Sequence, residues 1–154
     1  MMSKRTTNSG FTLIEVLITV AIIAVLATIV YVSLNPVQRF ADARNSHRWI
    51  DVDSIITAIH EYIVDNAGTL PAGIDTTEKQ LGTCGSGGAT ACSGAADACL
   101  DLSSLLVTYL KTMPVDPSNG TASATKYSVV ANANNIITVK ACAAENGTVI
   151  EVSR

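Results

Sequence analysis

One carboxylate lies within a long apolar stretch near the N-terminus. The stretch runs from Phe11 to Val32, and Glu15 is its only charged residue. As a helix of about 1.5 Å rise per residue, this stretch is long enough to cross the roughly 30 Å hydrocarbon layer of a bilayer. A carboxylate inside that layer costs on the order of 2.5–3.5 kcal/mol. We therefore expect Glu15 to have a cationic partner and a functional role.

The bond between Gly10 and Phe11 offers such a partner. Cleavage there would place a new α-amine four residues before Glu15, on the same helical face. The amine could pair with its own carboxylate or with that of a neighbouring copy. Pairing between copies would hold the two chains at a fixed axial offset, which is chemistry suited to assembly rather than to catalysis.

At these residues the chain resembles the type IV prepilin family. The matching features are a short basic leader with Lys4 and Arg5, a Gly10-Phe11 cleavage site, and Glu15 inside the hydrophobic run. In that family a dedicated membrane peptidase cuts on the cytoplasmic side and N-methylates the new first residue. The resemblance therefore implies cleavage between Gly10 and Phe11, N-methylation of Phe11 and an assembly role for Glu15.

Two plainer interpretations of the apolar run compete with this one. A secretory signal peptide has a shorter apolar core and a small-residue cleavage site after the core, whereas here Gly-Phe comes before it. A single-pass anchor explains the length and, by the positive-inside rule, the basic leader. That interpretation does not explain why a carboxylate, Glu15, lies within the apolar run.

The chain after the apolar run is expected to continue as helix and then form one small head. Asn35-Pro36 predicts a kink or local loosening near Leu34, because proline removes a backbone hydrogen bond and disfavours helical geometry before it. The whole chain is thus predicted to have four segments. They are a leader at 1–10 that is removed, a transmembrane or filament-core helix at 11–35, an amphipathic helix half at 36–66, and a globular head at 67–154.

The amphipathic half carries one apolar stripe that the head must cover. The stripe consists of Trp49, Val52, Ile56, Ile59 and Ile63, flanked by Ile55 and Tyr62. The polar remainder has mixed sign and is either a solvated face or a source of salt bridges between subunits. It comprises Asp42, Arg44, Arg48, Asp51, Asp53, Glu61 and Asp65. The helix should end near Gly68, which suits a left-handed C-terminal cap.

The head is predicted to contain a surface connection, a short helix and a sheet. Residues 67–98 are rich in Gly, Ala, Ser and Thr, and their Gly85–Gly88 run lacks the ending of a phosphate-binding loop. A short helix follows Asp101, with its apolar face formed by Leu102, Leu105, Leu106, Tyr109 and Leu110. Three β-type runs then form an antiparallel meander, at Lys126–Ala131, Ile136–Cys142 and Thr148–Ser153. The expected fold is α+β, with a long N-terminal helix packed on a head that holds an antiparallel sheet of three to four strands.

The four cysteines, Cys84, Cys92, Cys99 and Cys142, all follow the apolar run. The basic leader predicts that this part lies outside the cytoplasm, where disulfides form. Sequence alone allows three pairings. We prefer Cys84 with Cys92, closing the Gly-rich loop, and Cys99 with Cys142.

No cofactor and no metal site is expected. Zinc is disfavoured because there is no Cys-x-x-Cys and neither His47 nor His60 lies near the cysteines in sequence. Some pseudopilins bind calcium near a Pro-x-Asp-Pro loop such as the one here, and Asp116 and Asn119 offer oxygen ligands, but these are too few for a firm site.

The charge balance and the residue inventory exclude other function classes. Loss of Lys4 and Arg5 with the leader takes the formal charge from −3 to −5, which argues against a general nucleic-acid surface. Both histidines fall on the amphipathic helix, and no acid pair or activated nucleophile is evident elsewhere, so we expect no enzyme.

The resemblance implies a structural subunit, a pilin of a type IV pilus-like filament. The alternatives are a pseudopilin of a type II secretion system and a membrane-tethered binding module that does not polymerise. The implied partners are the prepilin peptidase, other copies and related pilins, the membrane platform of the assembly machine, and lipid before assembly. The precursor would sit in the cytoplasmic membrane with its head outside, and the product would be an extracellular or periplasmic filament.

Overall fold

The computed structural model describes residues 10–154. The leader cations Lys4 and Arg5 lie outside the described residues. The chain divides into two compact units, one up to Arg39 and one from Phe40 to Arg154.

The first unit contains α1 (Leu13–Leu34) and the start of the following helix. Helix α1 ends at Asn35, whose backbone is left-handed with φ 41°. The next helix, α2 (Pro36–Asp65), begins with proline. Proline is favoured in the first helical position because a backbone N–H there would have no partner within the helix. The predicted interruption at Asn35-Pro36 is therefore present.

The second unit buries one face of α2. Val52, Ile55, Ile56 and Ile59 are fully enclosed, as the stripe predicted. Trp49 is 43% exposed, so its assignment to that stripe is wrong. The buried face is instead extended toward the N-terminus by a cation, Arg48, whose side chain is fully enclosed.

The sheet has five strands in the spatial order β2-β1-β3-β4-β5. The strands are β1 (Lys79–Leu81), β2 (Ala96–Leu100), β3 (Tyr127–Ala131), β4 (Ile137–Ala141) and β5 (Glu151–Ser153). Strands β3, β4 and β5 form the predicted antiparallel meander. The α+β fold with its long N-terminal helix is confirmed.

Strands β1 and β2 correct the sequence prediction for residues 67–98. They lie in the segment expected to be a surface connection, and they pair in parallel, so the sheet is mixed rather than antiparallel. Strand β1 also pairs antiparallel with β3 and so joins the meander. The short helix α3 (Gly88–Ala91) lies in the chain between β1 and β2, and α4 (Ser103–Leu106) follows β2.

The core lies between α2 and one face of the sheet. Burial alternates along β4, as expected for a strand with one face on the core. In β3, Ser128 is buried together with Tyr127, Val129 and Ala131. The fully or nearly fully buried apolar side chains outside α2 are Leu81, Leu102, Leu106, Tyr127, Val129, Ala131, Ile137, Val139 and Ile150. The short helix predicted after Asp101 is present as α4, which contributes Leu106, while Leu102 directly precedes it. Tyr109 and Leu110, predicted on its apolar face, lie beyond its end.

Candidate processing and assembly site

The start of α1 leaves the predicted cleavage site outside the helix. Gly10, Phe11 and Thr12 precede the first helical residue, and Thr12 has extended backbone with φ −80° and ψ 151°. The Thr12 hydroxyl oxygen accepts a hydrogen bond from the Glu15 backbone N–H at 3.3 Å. Threonine is therefore the N-cap of α1 and fixes where the helix begins.

Glu15 lies in the first turn of α1 and is exposed. A carboxylate is favoured there by the partial positive charge of the helix N-terminus. Within residues 10–154 it forms no salt bridge. The cationic partner expected for Glu15 is thus not found among residues 10–154.

No side chain of α1 is buried. Its apolar residues are exposed along the whole helix, and α1 is the one helix in the described chain that is long and apolar enough to cross a membrane. The hydroxyls of Thr19 and Thr28 donate to the carbonyls of Val16 and Ala24, each at 2.8 Å. These internal bonds satisfy both hydroxyl donors, which an apolar environment requires.

The cysteines are joined in two disulfides, Cys84 with Cys99 and Cys92 with Cys142. The Cα atoms of each pair are 5.0 Å apart, within the usual range for a disulfide. The preferred pairing of Cys84 with Cys92 and Cys99 with Cys142 is wrong.

The parallel strands explain the correct pairing. Because β2 runs beside β1, Cys99 returns next to Cys84, and the Cys99 N–H donates to the Cys84 carbonyl at 2.9 Å. Helix α3 carries Cys92 at its C-terminal end, and Cys142 directly follows β4. The second disulfide therefore ties the loop between β1 and β2 to the meander.

A buried ion pair joins α2 to the loop before β3. Arg48 Nε donates to Asp116 Oδ2 at 2.6 Å and Nη2 donates to Oδ1 at 3.2 Å, and both side chains are fully enclosed. Arg48 Nη1 also donates to Asn45 Oδ1 and to Glu145 Oε2, each at 2.8 Å. All three guanidinium nitrogens thus donate hydrogen bonds, which compensate for the burial of the charge.

Glu145 connects this pair to a second arginine. Arg44 donates to both Glu145 carboxylate oxygens, at 2.7 and 2.6 Å. The hydrogen bonds from Arg44 and then from Arg48 lower the pKa of Glu145 to about 2. Burial acts to lower the pKa of Arg48, but its hydrogen bonds to Asp116 and Glu145 outweigh that effect and raise it.

This cluster corrects two sequence interpretations. The Asp116 carboxylate, considered for calcium, has both oxygens bonded by Arg48 and is not free to bind a metal ion. Arg48, assigned to a solvated or intersubunit face, is an internal residue. Its position four residues before Val52 on the apolar stripe was the signal that could have placed it inside.

Other titratable side chains of α2 make separate local contacts: the His47 imidazole lies 3.7 Å from the Asp51 carboxylate. Asp51 accepts a hydrogen bond from the buried Tyr127 hydroxyl at 2.6 Å. Burial, and then this bond, raise the pKa of Tyr127. The His47 side chain is largely exposed, and His60 lies at the flank of α2. Residues 10–154 hold no cluster of three or more His, Cys, Asp or Glu side chains that could bind a metal ion.

Comparison with known proteins identifies the N-terminal segment. Residues 5–31 match the family model of the prokaryotic N-terminal methylation motif. No curated protein and no solved structure matches the chain significantly. The matched range contains Gly10, Phe11, Glu15 and most of α1. The chain thus carries, at residues 5–31, the signal motif of type IV prepilins and pseudopilins.

Proposed function

We propose that this chain is a structural subunit, a pilin, of a type IV pilus-like filament outside the cytoplasm. The observation that carries the proposal is the methylation motif at residues 5–31. The motif includes most of α1, a helix with no buried side chain and a single carboxylate. Such a helix needs apolar surroundings, first lipid and then other copies.

Processing would occur at the bond between Gly10 and Phe11. The prepilin peptidase would remove residues 1–10 and methylate the Phe11 amine. The helix cap at Thr12 supports this assignment, because it leaves both residues in non-helical backbone, where a peptidase can reach the peptide bond.

Assembly would then bury α1 among the helices of other copies. A cationic Phe11 amine on one copy can meet Glu15 on another only at a particular axial offset, so the ion pair selects the register. The membrane platform of the assembly machine would extract each subunit from the lipid. The two disulfides support exposure of the head to an oxidising compartment.

Mass spectrometry of the mature N-terminus tests the processing step. We expect a chain beginning at methylated Phe11. A Gly10→Leu variant should remain an uncut precursor in the membrane, with its disulfides formed. An unprocessed wild-type chain, or cleavage after the apolar run, would overturn the proposal.

Deletion of the encoding sequence tests the kind of filament. For a pilus, loss of surface filaments is expected while protein secretion continues. Loss of secretion with no change in surface filaments would instead indicate a pseudopilus. If a Glu15→Gln chain retained full function with no filament of either kind, the head would act as a membrane-tethered binding module.

A further inference from the structure

A groove lies beside the C-terminal half of α2. Its volume is about 530 Å³, which falls in the range of ligand-binding pockets. Its lining includes His60, Glu61, Val64 and Asp65 of α2, together with Tyr109 and Arg154. Val64 is 78% exposed, so the groove presents apolar surface together with carboxylates.

The charge of this groove favours a cation. Arg154 is paired with Asp53 at 2.8 Å, and Asp65 accepts a hydrogen bond from the Tyr109 hydroxyl. Glu61 forms no salt bridge with the described chain. The last turn of α2 contains no basic residue, although a helix C-terminus attracts positive charge. A cation entering here would meet two carboxylates and the helix end.

The chain itself offers a matching cation. Arg39 and Lys111 are exposed, and neither forms a salt bridge within residues 10–154. Arg39 is flanked by Val37 and Phe40, which are 75% and 66% exposed. The apolar residues nearest to Lys111 in sequence, Leu110 and Met113, are half-buried. The segment from Val37 to Phe40 thus combines a cation with uncovered apolar surface, as the groove combines carboxylates with Val64.

We propose that the groove binds the Val37–Phe40 segment of a second copy of this chain. Arg39 of one copy pairs with Glu61 and Asp65 of the other, and Phe40 packs against Val64. The inference rests on the proposed filament, in which axially offset copies bring different parts of α2 together. This contact between the Val37–Phe40 segment and the groove would be additional to the ion pair between Glu15 and the Phe11 amine of another copy.

Charge exchange tests the contact. Arg39→Glu and Glu61→Arg should each reduce the yield of sheared filaments about tenfold, since close interfacial charge pairs are strongly coupled. The double variant restores the attraction with opposite polarity and should recover most of the wild-type yield. The matched controls are Lys111→Glu and Glu151→Arg, which reverse exposed charges outside the groove and should leave the yield unchanged.

Filaments of a Phe40→Cys/Val64→Cys chain provide a second measurement. Oxidation should produce disulfide-linked oligomers, whereas either single cysteine alone should give no ladder. Alkylation of each variant under native conditions checks that the four native cysteines remain oxidised and the head remains folded.

The outcomes separate this contact from the proposed function. Wild-type filaments with unaffected single variants and no oligomers would overturn the contact and leave the filament standing. Losses in both single variants without recovery in the double variant would also overturn the pairing. A wild-type chain that is processed but never found in a filament would overturn both.

Discussion

The guanidinium of Arg48 and the carboxylate of Asp116 form an ion pair with no solvent contact, 68 positions apart in the sequence. The pair fastens α2 to the loop that precedes β3. Because its members are also bonded to Asn45, Glu145 and the backbone of Ser118, the cluster fixes the position of the helix over the sheet.

Removal of one member of this pair should strongly destabilise the head. Asp116→Asn leaves a buried guanidinium with one fewer anion, and loss of a buried partner typically costs about 3–5 kcal/mol. Chemical denaturation of the full chain in detergent, followed by the fluorescence of Trp49, measures the change. Asp53→Asn is the control, since its partner Arg154 is exposed and the effect should stay below about 1 kcal/mol. Equal effects of the two variants would contradict the role of Asp116.

The lowered pKa of Glu145 predicts an acid-dependent loss of stability. Its folded-state value of about 2 lies below the ordinary value of 4.5, so its contribution is complete above about pH 4.5 and is lost as pH falls through about 2. Denaturation midpoints measured across this range should fall less steeply for Glu145→Gln than for the wild type. The variant should also be the less stable protein near neutral pH.

Other carboxylates also contribute to the pH dependence of stability, but they do not affect the difference between Glu145→Gln and the wild type. The pKa values of Asp75 and Asp101 are also lowered, by hydrogen bonds from Lys79 and from Ser103. Both groups remain in the variant and in the wild type. Glu151→Gln, which removes an exposed carboxylate without a salt bridge in the described chain, should give a profile parallel to that of the wild type. A parallel profile for Glu145→Gln would refute the prediction.

The disulfide pairing can be read from one double digestion. Trypsin with a protease that cuts before aspartate yields one peptide with Cys84 and Cys92, one with Cys99 and one with Cys142. The pairing in the structure holds all three together without reductant. The pairing of Cys84 with Cys92 would instead release the first peptide on its own.

A cysteine variant separates the two pairings that give the same digestion result. Cys92→Ser should leave Cys142 as the only alkylated thiol and keep Cys84 joined to Cys99. Alkylation of Cys84 or Cys99 in this variant would disprove the pairing. Each bridge should contribute about 3–4 kcal/mol, because the closed loops have 15 and 50 residues.

The features that the sequence predicted correctly depend on local patterns. Helix α1 follows from an unbroken apolar run, its end from Asn35-Pro36, and the meander from β-type runs separated by turn residues. Their ranges agree with the structure to within a few residues. The buried stripe of α2 was likewise evident from the spacing of its isoleucines.

The features that were missed depend on contacts between distant parts of the chain. Strands β1 and β2 are short and lie in a Gly- and Ala-rich segment, so neither has a strong local signal. Their parallel pairing decides which cysteines meet. Arg48 looked like a surface residue because its partners, Asp116 and Glu145, are remote in sequence and cannot be assigned to it by periodicity.

The charge of Glu15 should be needed for filament assembly but not for membrane insertion or cleavage. Glu15→Gln keeps the size of the side chain and the backbone N–H that bonds the Thr12 cap, so α1 should begin at the same residue. Membrane insertion and cleavage after Gly10 should therefore be normal. Filament assembly should fall sharply, because a neutral amide cannot form an ion pair with the Phe11 amine of another copy. Glu15→Asp is the matched control: it retains the charge on a shorter side chain and should assemble better than the Gln variant. Normal amounts of Glu15→Gln filament beside the wild type would show that apolar packing of α1 sets the register without the charge.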